Sequence, residues 1–317
     1  MMQTIYLDPF TLLLPEAVAT IGFFDGVHTG HQYLIRKVVE TARNEGRASM
    51  VVTFDRHPRE VLHTDYLPEM LSSLPEKLIR LSETGIDHCI IVPFNEQTAA
   101  RTAEAFMLDV LHRQLNIRKL IIGYDNRFGR RRDEGFEDYV RYGSRCGMVV
   151  ERCDAFVSGG KGMSSSRIRT MLNQGEVAEA REGLGRPYSL TGVVEAGHRI
   201  GREIGFPTAN LRPVEPRKLI PHAGVYAVKV TKEGWKAPRQ GMMNIGRRPT
   251  FDGNETTIEV HILDLTEDLY GSSLSVAFMD RIRDERRFKS REELILRLHE
   301  DEIAVRTYFQ NHQDIDK

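Results

Sequence analysis

Two histidines three residues apart, His28 and His31, stand in the stretch "GFFDGVHTGH" (Gly22–His31), between an apolar run and an amphipathic one. Three uses compete for such a pair: core filling, metal ligation, or donation to phosphate. Two imidazoles among glycines at a strand-to-helix turn are poor core material. A metal would want a third ligand with its own spacing, and none stands nearby in the chain. Phosphate suits the setting better. Gly22, Gly26 and Gly30 permit close backbone approach, and a helix opening near Gly30 offers free N–H groups and the positive end of its dipole. Imidazoles there could donate to phosphate oxygens whose charge grows during a transfer reaction.

A second dense stretch is "GREIGFPTANL" (Gly201–Leu211). Pro207 and Asn210 are ordinary turn residues, so a β-turn explains part of it. Thr208 and Asn210 also place a hydroxyl and an amide oxygen two residues apart. These are hard ligands fit for a Mg²⁺ ion that keeps waters and substrate phosphates. The chain contains no Walker A sequence, so a kinase here would not use a P-loop.

The elements that must hold these residues differ between the two halves. From Ala17 to about Ala155, short apolar runs alternate with helical patterns. Ala17–Phe24, Ala48–Phe54, His88–Phe94, Lys119–Tyr124 and Met148–Cys153 read as buried strands. Between them, Leu34, Ile35, Val38, Val39 and Ala42 share one helical face. "PEKLIRLSETG" has Pro at its start and Gly at its end, and "TAEAFMLDVLHRQL" is a further helix. Alternating β and α with continuous apolar strands implies a parallel sheet covered on both faces. Ligands in such sheets lie at the carboxyl ends of strands, where "GFFDGVHTGH" falls. Ser164–Gly185 reads as two short helices around Gly175, and "GRPYSL" (Gly185–Leu190) then breaks the pattern. The expected division is therefore 1–184 and 185–317. Beyond it, short strands separated by Gly, Pro and Asn suggest an antiparallel barrel or sandwich. Ser290 and Glu293 stand at capping-box spacing, so the chain is expected to end in a helix.

The whole chain has 317 residues, 40% hydrophobic and 28% charged, with a net charge of −1. That length suggests about two domains. The charge balance argues against nucleic-acid and anionic-membrane partners, which would favour a basic surface. The basic run Arg130–Arg132 reads as a solvated face. Three cysteines, Cys89, Cys146 and Cys153, fit neither a disulfide framework nor a zinc site. "MMQTIYLDPF" lacks a basic segment followed by an apolar one, so no signal peptide is expected, and no apolar run nears the ~20 residues that span a bilayer. A cytoplasmic protein is expected; self-association is left open.

The first stretch resembles the HxGH signature of nucleotidylyltransferases. In its setting it is similar to the FMN adenylyltransferase module of prokaryotic bifunctional riboflavin kinase/FAD synthetases. Thr53–Leu62 ("TFDRHPREVL") resembles that family's FDPHP loop, with Arg56 in place of proline. Gly123–Gly135 resembles its GxDFxFG motif, with Asn126 where Phe is commoner. Ser164–Arg169 resembles its SSTRIR motif, with Ser166 for Thr. "GREIGFPTANL" is similar to the riboflavin kinase signature, and Gly224–Val230, Asn244–Phe251, Thr257–Gly271 and Ile282–Ser290 resemble that module in the same order. Together these stretches span nearly the whole chain.

The resemblance implies a Rossmann-like α/β/α nucleotidylyltransferase domain followed by an antiparallel β-barrel kinase domain ending in a helix. It implies phosphorylation of riboflavin to FMN, then adenylylation of FMN to FAD, with ATP as co-substrate and Mg²⁺ as cofactor. On this basis Gly22, Phe24, Asp25, Gly26, Gly30, Ser164, Ser165, Ser166, Arg167, Gly201, Gly205, Pro207, Thr208 and Asn210 would surround ATP and its phosphates. His57, Pro58, Asp125, Asn126, Phe128 and Arg283 would lie near flavin, and Thr208 and Asn210 would hold the metal. FMN phosphate is already anionic near pH 7, so adenylyl transfer needs positioning and charge stabilisation from His28, His31, Ser165 and Arg167, and no protein base. The riboflavin 5′-hydroxyl is not ionised, so phosphorylation gains from a carboxylate. The family's base lies in the motif of Glu259, although strand alternation with Ile258 and Val260 alone would make it an outward-facing residue. His261 reads as structural. Arg56 and Asn126 fall in loops used around flavin and nucleotide. They leave open a kinase with an impaired adenylyltransferase; a third reading is a flavin-nucleotide binding or sensing protein without turnover.

Overall fold

The computed structural model describes residues 1–8, 14–62, 67–124, 126–130, 134–158, 161–196, 200–250 and 253–312. The chain forms two compact units, Met1–Ser165 and Ser166–Lys317.

The first unit is built on a parallel sheet of β1 (Gln3–Tyr6), β2 (Ala17–Ile21), β3 (Ala48–Phe54), β4 (His88–Val92), β5 (Ile117–Ile122) and β6 (Val149–Arg152). Their order is β1-β4-β3-β2-β5-β6. The chain thus winds outward from β2 through β3 and β4, then returns to lay β5 on the other side of β2. That reversal opens a crevice outside the carboxyl end of β2, the usual ligand position in such sheets. A small ribbon, β7 (Val157–Ser158) with β8 (Lys161–Gly162), completes the unit's strands.

All five residues of β2 are buried, because both faces of the sheet are covered. On one face, α1 (Thr29–Asn44) presses Leu34, Ile35, Val38, Val39 and Ala42 against Val18, Val51 and Ile91. The short α2 (Pro58–Val61) follows β3. The helix α3 (Leu74–Ser82) joins the α1 side, with Ser73 accepting from Glu76 N–H and the Glu76 carboxylate accepting from Ser73 N–H. The short helices α4 (Glu96–Ala100) and α5 (Ala103–Ala105) lead into a wider-wound helical segment, Phe106–Gln114. That segment and α6 (Phe136–Cys146) cover the other face, where Phe106, Met107, Leu111 and Tyr139 meet Ala19, Ile21 and Val52. Fully burying an aliphatic side chain of this size is worth roughly 1.5–3 kcal/mol.

The second unit opens at Ser166, inside α7 (Ser165–Gln174), and continues into α8 (Val177–Leu184); the two helices turn at Gly175, whose φ of 79° suits glycine. A closed antiparallel barrel follows: β9 (Ser189–Glu195), the short α9 (Ile200–Glu203), β10 (Ala209–Pro213), β11 (Gly224–Lys232), β12 (Arg239–Thr250), β13 (Gly253–Ile262) and β14 (Ser273–Asp284). Their order round the barrel is β10-β13-β12-β11-β14-β9. Closure removes the exposed edges that antiparallel sheets otherwise carry. The chain's last described element is α10 (Arg291–Asn311), whose Ser290 cap accepts from Glu293 N–H at 3.2 Å. Val305 and Phe309 of α10 pack on Val225, Ala227 and Met279 of the barrel. Asp301, fully buried, fastens the same helix to the barrel through its ion pair with Arg283 on β14 at 2.8 Å, and pairs within the helix with Arg297 at 3.1 Å.

Candidate active sites

The sequence reading carried the first strand on to Phe24, but β2 stops at Ile21. Left-handed backbone ends it: Phe24 (φ 55°), Gly26 (φ 76°) and Val27 (φ 40°) coil the next residues into a tight turn. For a β-branched residue such as Val27 this conformation is rare and strained, and it persists only where the surroundings over-determine it. Asp25 does that here. Its buried carboxylate accepts from Leu71 N–H (3.0 Å), Ser72 N–H (3.0 Å) and the Ser72 hydroxyl (3.2 Å), while Gly26 N–H donates to Ser72 Oγ at 3.0 Å. Gly22 fits because a Cβ there would lie 3.1 Å from the Phe24 ring.

The turn delivers His28 to the cap of α1. Its Nδ1 accepts from His31 N–H at 3.3 Å, which places the proton of a neutral His28 on Nε2. The two imidazoles stack with centroids 3.6 Å apart and planes 21° apart, and Phe24 meets His31 edge-on at 5.1 Å. Burial, then the charges of His28 and Lys77, push the His31 pKa well below its ordinary value. Its Nδ1 is buried and has no hydrogen-bond partner among the described residues. A buried, unsatisfied imidazole nitrogen beside a helix N-terminus is what an anionic ligand would complete. Gly30 leaves room for this packing: a Cβ would lie 3.2 Å from the His28 ring and 3.4 Å from the Met163 carbonyl oxygen.

Two further motif stretches converge on the turn. Ser165, the first residue of α7, donates its hydroxyl to the Asp25 carbonyl at 3.0 Å, with Ser164 just before it and Ser166 and Arg167 in the helix's first turn. After β5, the Asn126 amide donates to the carbonyl of Ile21, closing the crevice between β5 and β2. His57 caps α2, accepting from Arg59 N–H at 3.2 Å with Pro58 in the first turn, and its ring meets Phe23 edge-on at 4.9 Å. Arg56 is exposed and pairs with Asp55 at 3.4 Å. Asp125 lies outside the described residues, as do Arg131 and Arg132. Phe128 is turned to packing: its ring stacks on Tyr139 at 4.4 Å.

The barrel site assembles differently. Gly201 N-terminally supports the turn before β10: its carbonyl accepts from Phe206 N–H at 2.8 Å, and Gly205 (φ 85°) makes the bend. Phe206 is buried between His261 (5.4 Å) and His299 (4.9 Å). His261 Nδ1 donates to the Pro207 carbonyl at 2.8 Å, which accords with its structural reading. Thus anchored, the Thr208 hydroxyl donates to Glu259 Oε2 at 3.2 Å. Asn210 on β10 and Asn244 on β12 stand directly opposite Glu259 on β13, so the three side chains form a row on one face of the barrel wall. Asn244, not singled out by the sequence reading, opens the stretch Asn244–Phe251, and its alternation with Met242 was the available signal. A groove beside Thr208 is lined by Val194, Glu195, Ala209, Val260 and Tyr270. Arg283 gives its guanidinium to Asp301, with Nε at 2.9 Å and Nη2 at 2.8 Å.

Gly201 has a testable consequence. A Cβ there would collide with the Phe206 carbonyl oxygen and come within 3.2 Å of the Thr208 hydroxyl. Gly201→Ala should therefore displace Thr208 and lower any reaction at the barrel site by about 10²-fold, since small misplacements cost that much. Reactions at the first site, measured in the same sample, should be unchanged.

Residues 12–167 match the family described as FAD synthetase, and residues 184–309 match the family described as riboflavin kinase. A bifunctional riboflavin kinase/FMN adenylyltransferase from Escherichia coli K12 is 40% identical over 292 residues, covering 92% of each chain. Its Listeria monocytogenes counterpart is 35% identical over 321 residues, covering 99% of this chain and 100% of that one. This chain belongs to the bifunctional riboflavin kinase/FMN adenylyltransferase family. As a member, it phosphorylates riboflavin to FMN and adenylylates FMN to FAD, with the FAD synthetase module N-terminal and the kinase module C-terminal. The fold expected of the family is the one observed, a helix-covered parallel sheet and then a closed antiparallel barrel. A solved structure described as a macrolide-efflux protein from Streptococcus pneumoniae superposes with a TM-score of 0.87 at 32% identity, covering 96% of this chain and 98% of that one. Among the described residues, no helix is long and apolar enough to cross a membrane.

Proposed function

We propose that FMN adenylylation takes place over the stacked His28 and His31, and riboflavin phosphorylation at Glu259 on the barrel wall. One contrast carries this assignment: the two sites use their carboxylates differently. Asp25 at the first site is occupied by Leu71 and Ser72, holding the turn. Glu259 at the second stands half-buried beside Thr208 and opposite Asn210.

At the first site the FMN phosphate, anionic already, attacks the α-phosphorus of ATP and pyrophosphate leaves. His28, His31, the N-terminus of α1, Ser164, Ser165, Ser166 and Arg167 donate to the oxygens on which charge grows. His57, Pro58 and Asn126 border the flavin. At the second site Glu259 accepts the 5′-hydroxyl proton as that oxygen attacks the γ-phosphorus of ATP and ADP leaves, a contribution of typically ~10²–10⁴-fold. ATP lies in the groove beside Thr208, whose hydroxyl and the Asn210 amide oxygen are hard donors that fit Mg²⁺ together with phosphate oxygens and water. Bound there, the ion would neutralise phosphate charge. Arg283, held by Asp301 near the end of β14, borders the flavin.

By function the adenylyltransferase runs through residue 184, since Ser164–Arg167 serve it, and the kinase occupies 185–317. The cysteines are free thiols, which suits a reducing cytoplasm where ATP and riboflavin are at hand. Isotope transfer tests the scheme. Label from γ-phosphate-labelled ATP should appear in both FMN and FAD, and label from α-phosphate-labelled ATP in FAD alone. α-Label in FMN, or none in FAD, would contradict it.

A further inference from the structure

Lys77 is a buried lysine that the sequence reading left inside a helix. It sits on the apolar face of α3, in step with Leu74 and Leu81, and is 3% exposed. Buried ammonium groups are costly unless every proton finds an acceptor. Here all three do: Nζ donates to the Phe23 carbonyl (3.1 Å), the Thr53 hydroxyl oxygen (3.2 Å) and the Phe54 carbonyl (3.0 Å). Thr53 donates in turn to the same Phe23 carbonyl at 3.2 Å.

These acceptors are not scattered. Phe23 opens the turn that carries His28, and Phe54 ends the strand that leads into the His57 loop. The Phe23 ring itself lies between two partners, the Lys77 ammonium 4.4 Å from its centroid and the His57 ring at 4.9 Å. One cation thus fixes the carboxyl ends of β2 and β3 relative to each other. Through Phe23 it also ties the phosphate turn to the flavin loop.

We propose that Lys77 is a positioning residue for FMN adenylylation, its ammonium holding the histidine turn and the His57 loop in the register that brings phosphate and flavin together. The proposal rests on assigning the first site to that reaction. It has a chemical signature. An ammonium has three protons for three acceptors, whereas the neutral amine has two and turns a lone pair on the third. Burial pulls the Lys77 pKa down to about 8, opposed by Asp25 on the histidine turn, by Cys89 on β4 and by Asp55 after β3, with His31 on α1 as the remaining titratable neighbour. Burial holds the Cys89 thiol up near 12 and His31 well below its ordinary value, so neither exchanges a proton in the same range. The sign follows: Lys77 is charged below about 8, and the register loosens as pH rises through that value.

The test compares both activities of the full chain across pH, in wild type, Lys77→Met and His28→Asn. In wild type, FMN adenylylation should fall as pH rises past about 8 while riboflavin phosphorylation shows no fall there. Lys77→Met should lose about 10²-fold in adenylylation, with the alkaline fall gone and phosphorylation unchanged. Adenylylation by Lys77→Met at the wild-type rate and with the wild-type profile would overturn the proposal. So would a wild-type profile without the fall, which decides the matter even if Lys77→Met does not fold. Full adenylylation by His28→Asn would overturn the site assignment and the proposal with it; loss there with Lys77→Met intact would overturn the proposal alone.

Discussion

Glu259→Gln is expected to lower riboflavin phosphorylation by about 10²–10⁴-fold, the usual worth of a positioned general base. The substitution keeps the shape of the side chain and an oxygen that can still accept from the Thr208 hydroxyl, so the row Asn210–Glu259–Asn244 should stay in place. What is lost is the ability to take up the 5′-hydroxyl proton. Initial rates with riboflavin as substrate should fall by that factor, while rates with supplied FMN as substrate should not change. Phosphorylation at the wild-type rate would remove Glu259 from the reaction.

The second large effect belongs to the histidines. His28→Asn keeps an acceptor at the cap of α1, a position where loss of the acceptor costs about 0.5–2 kcal/mol. His31→Gln keeps an amide donor but removes the stacked ring. Each should lower FMN adenylylation by about 10²–10³-fold, the cost of removing one donor from a site where transition-state charge develops. The two losses should not add fully, because the rings stack on each other and the His28 ring accepts from the His31 backbone N–H. Riboflavin given to either variant should accumulate as FMN, seen by chromatographic separation of the flavins.

On the proposed assignment these effects can be separated, because the reactions differ in their nucleophiles and the two sites differ to match. A phosphate needs no deprotonation, so its site contains donors and a carboxylate given over to backbone. A hydroxyl does, so its site presents a carboxylate.

Much of this was legible in the sequence. Alternating apolar runs and helical faces gave the strands from β2 to β6 and the face of α1. The exceptions have physical reasons. Three of the four residues of β1 are exposed, so no apolar run marked it. β10 begins inside "PTAN", whose Pro and Asn read as a turn, and its pairing with β13 comes from residues far along the chain. The wide winding of Phe106–Gln114 leaves no mark on a 3.6-residue pattern.

The motif residues that touch are those whose partners are also motif residues: His28 with His31, Ser165 with Asp25, Thr208 with Glu259. The sequence could not show what else a side chain would meet. Phe128 meets Tyr139, and Arg283 meets Asp301 on α10, through partners that only the folded chain supplies. Asn126, where Phe is commoner, reaches the end of β2, so the departure anchors the crevice rather than opening it. Lys77 had a signal that went unused: a lysine in an apolar stripe needs buried acceptors.

The most direct test of two separate sites is to mix two impaired partners. Glu259→Gln chains should form FAD from riboflavin and ATP at least about 10²-fold more slowly than wild type, and His31→Gln chains should accumulate FMN. Together in one solution they should convert riboflavin to FAD, with FMN passing from one chain to the other. Failure of the mixture to form FAD, when each variant retains its own half of the pathway, would contradict the account.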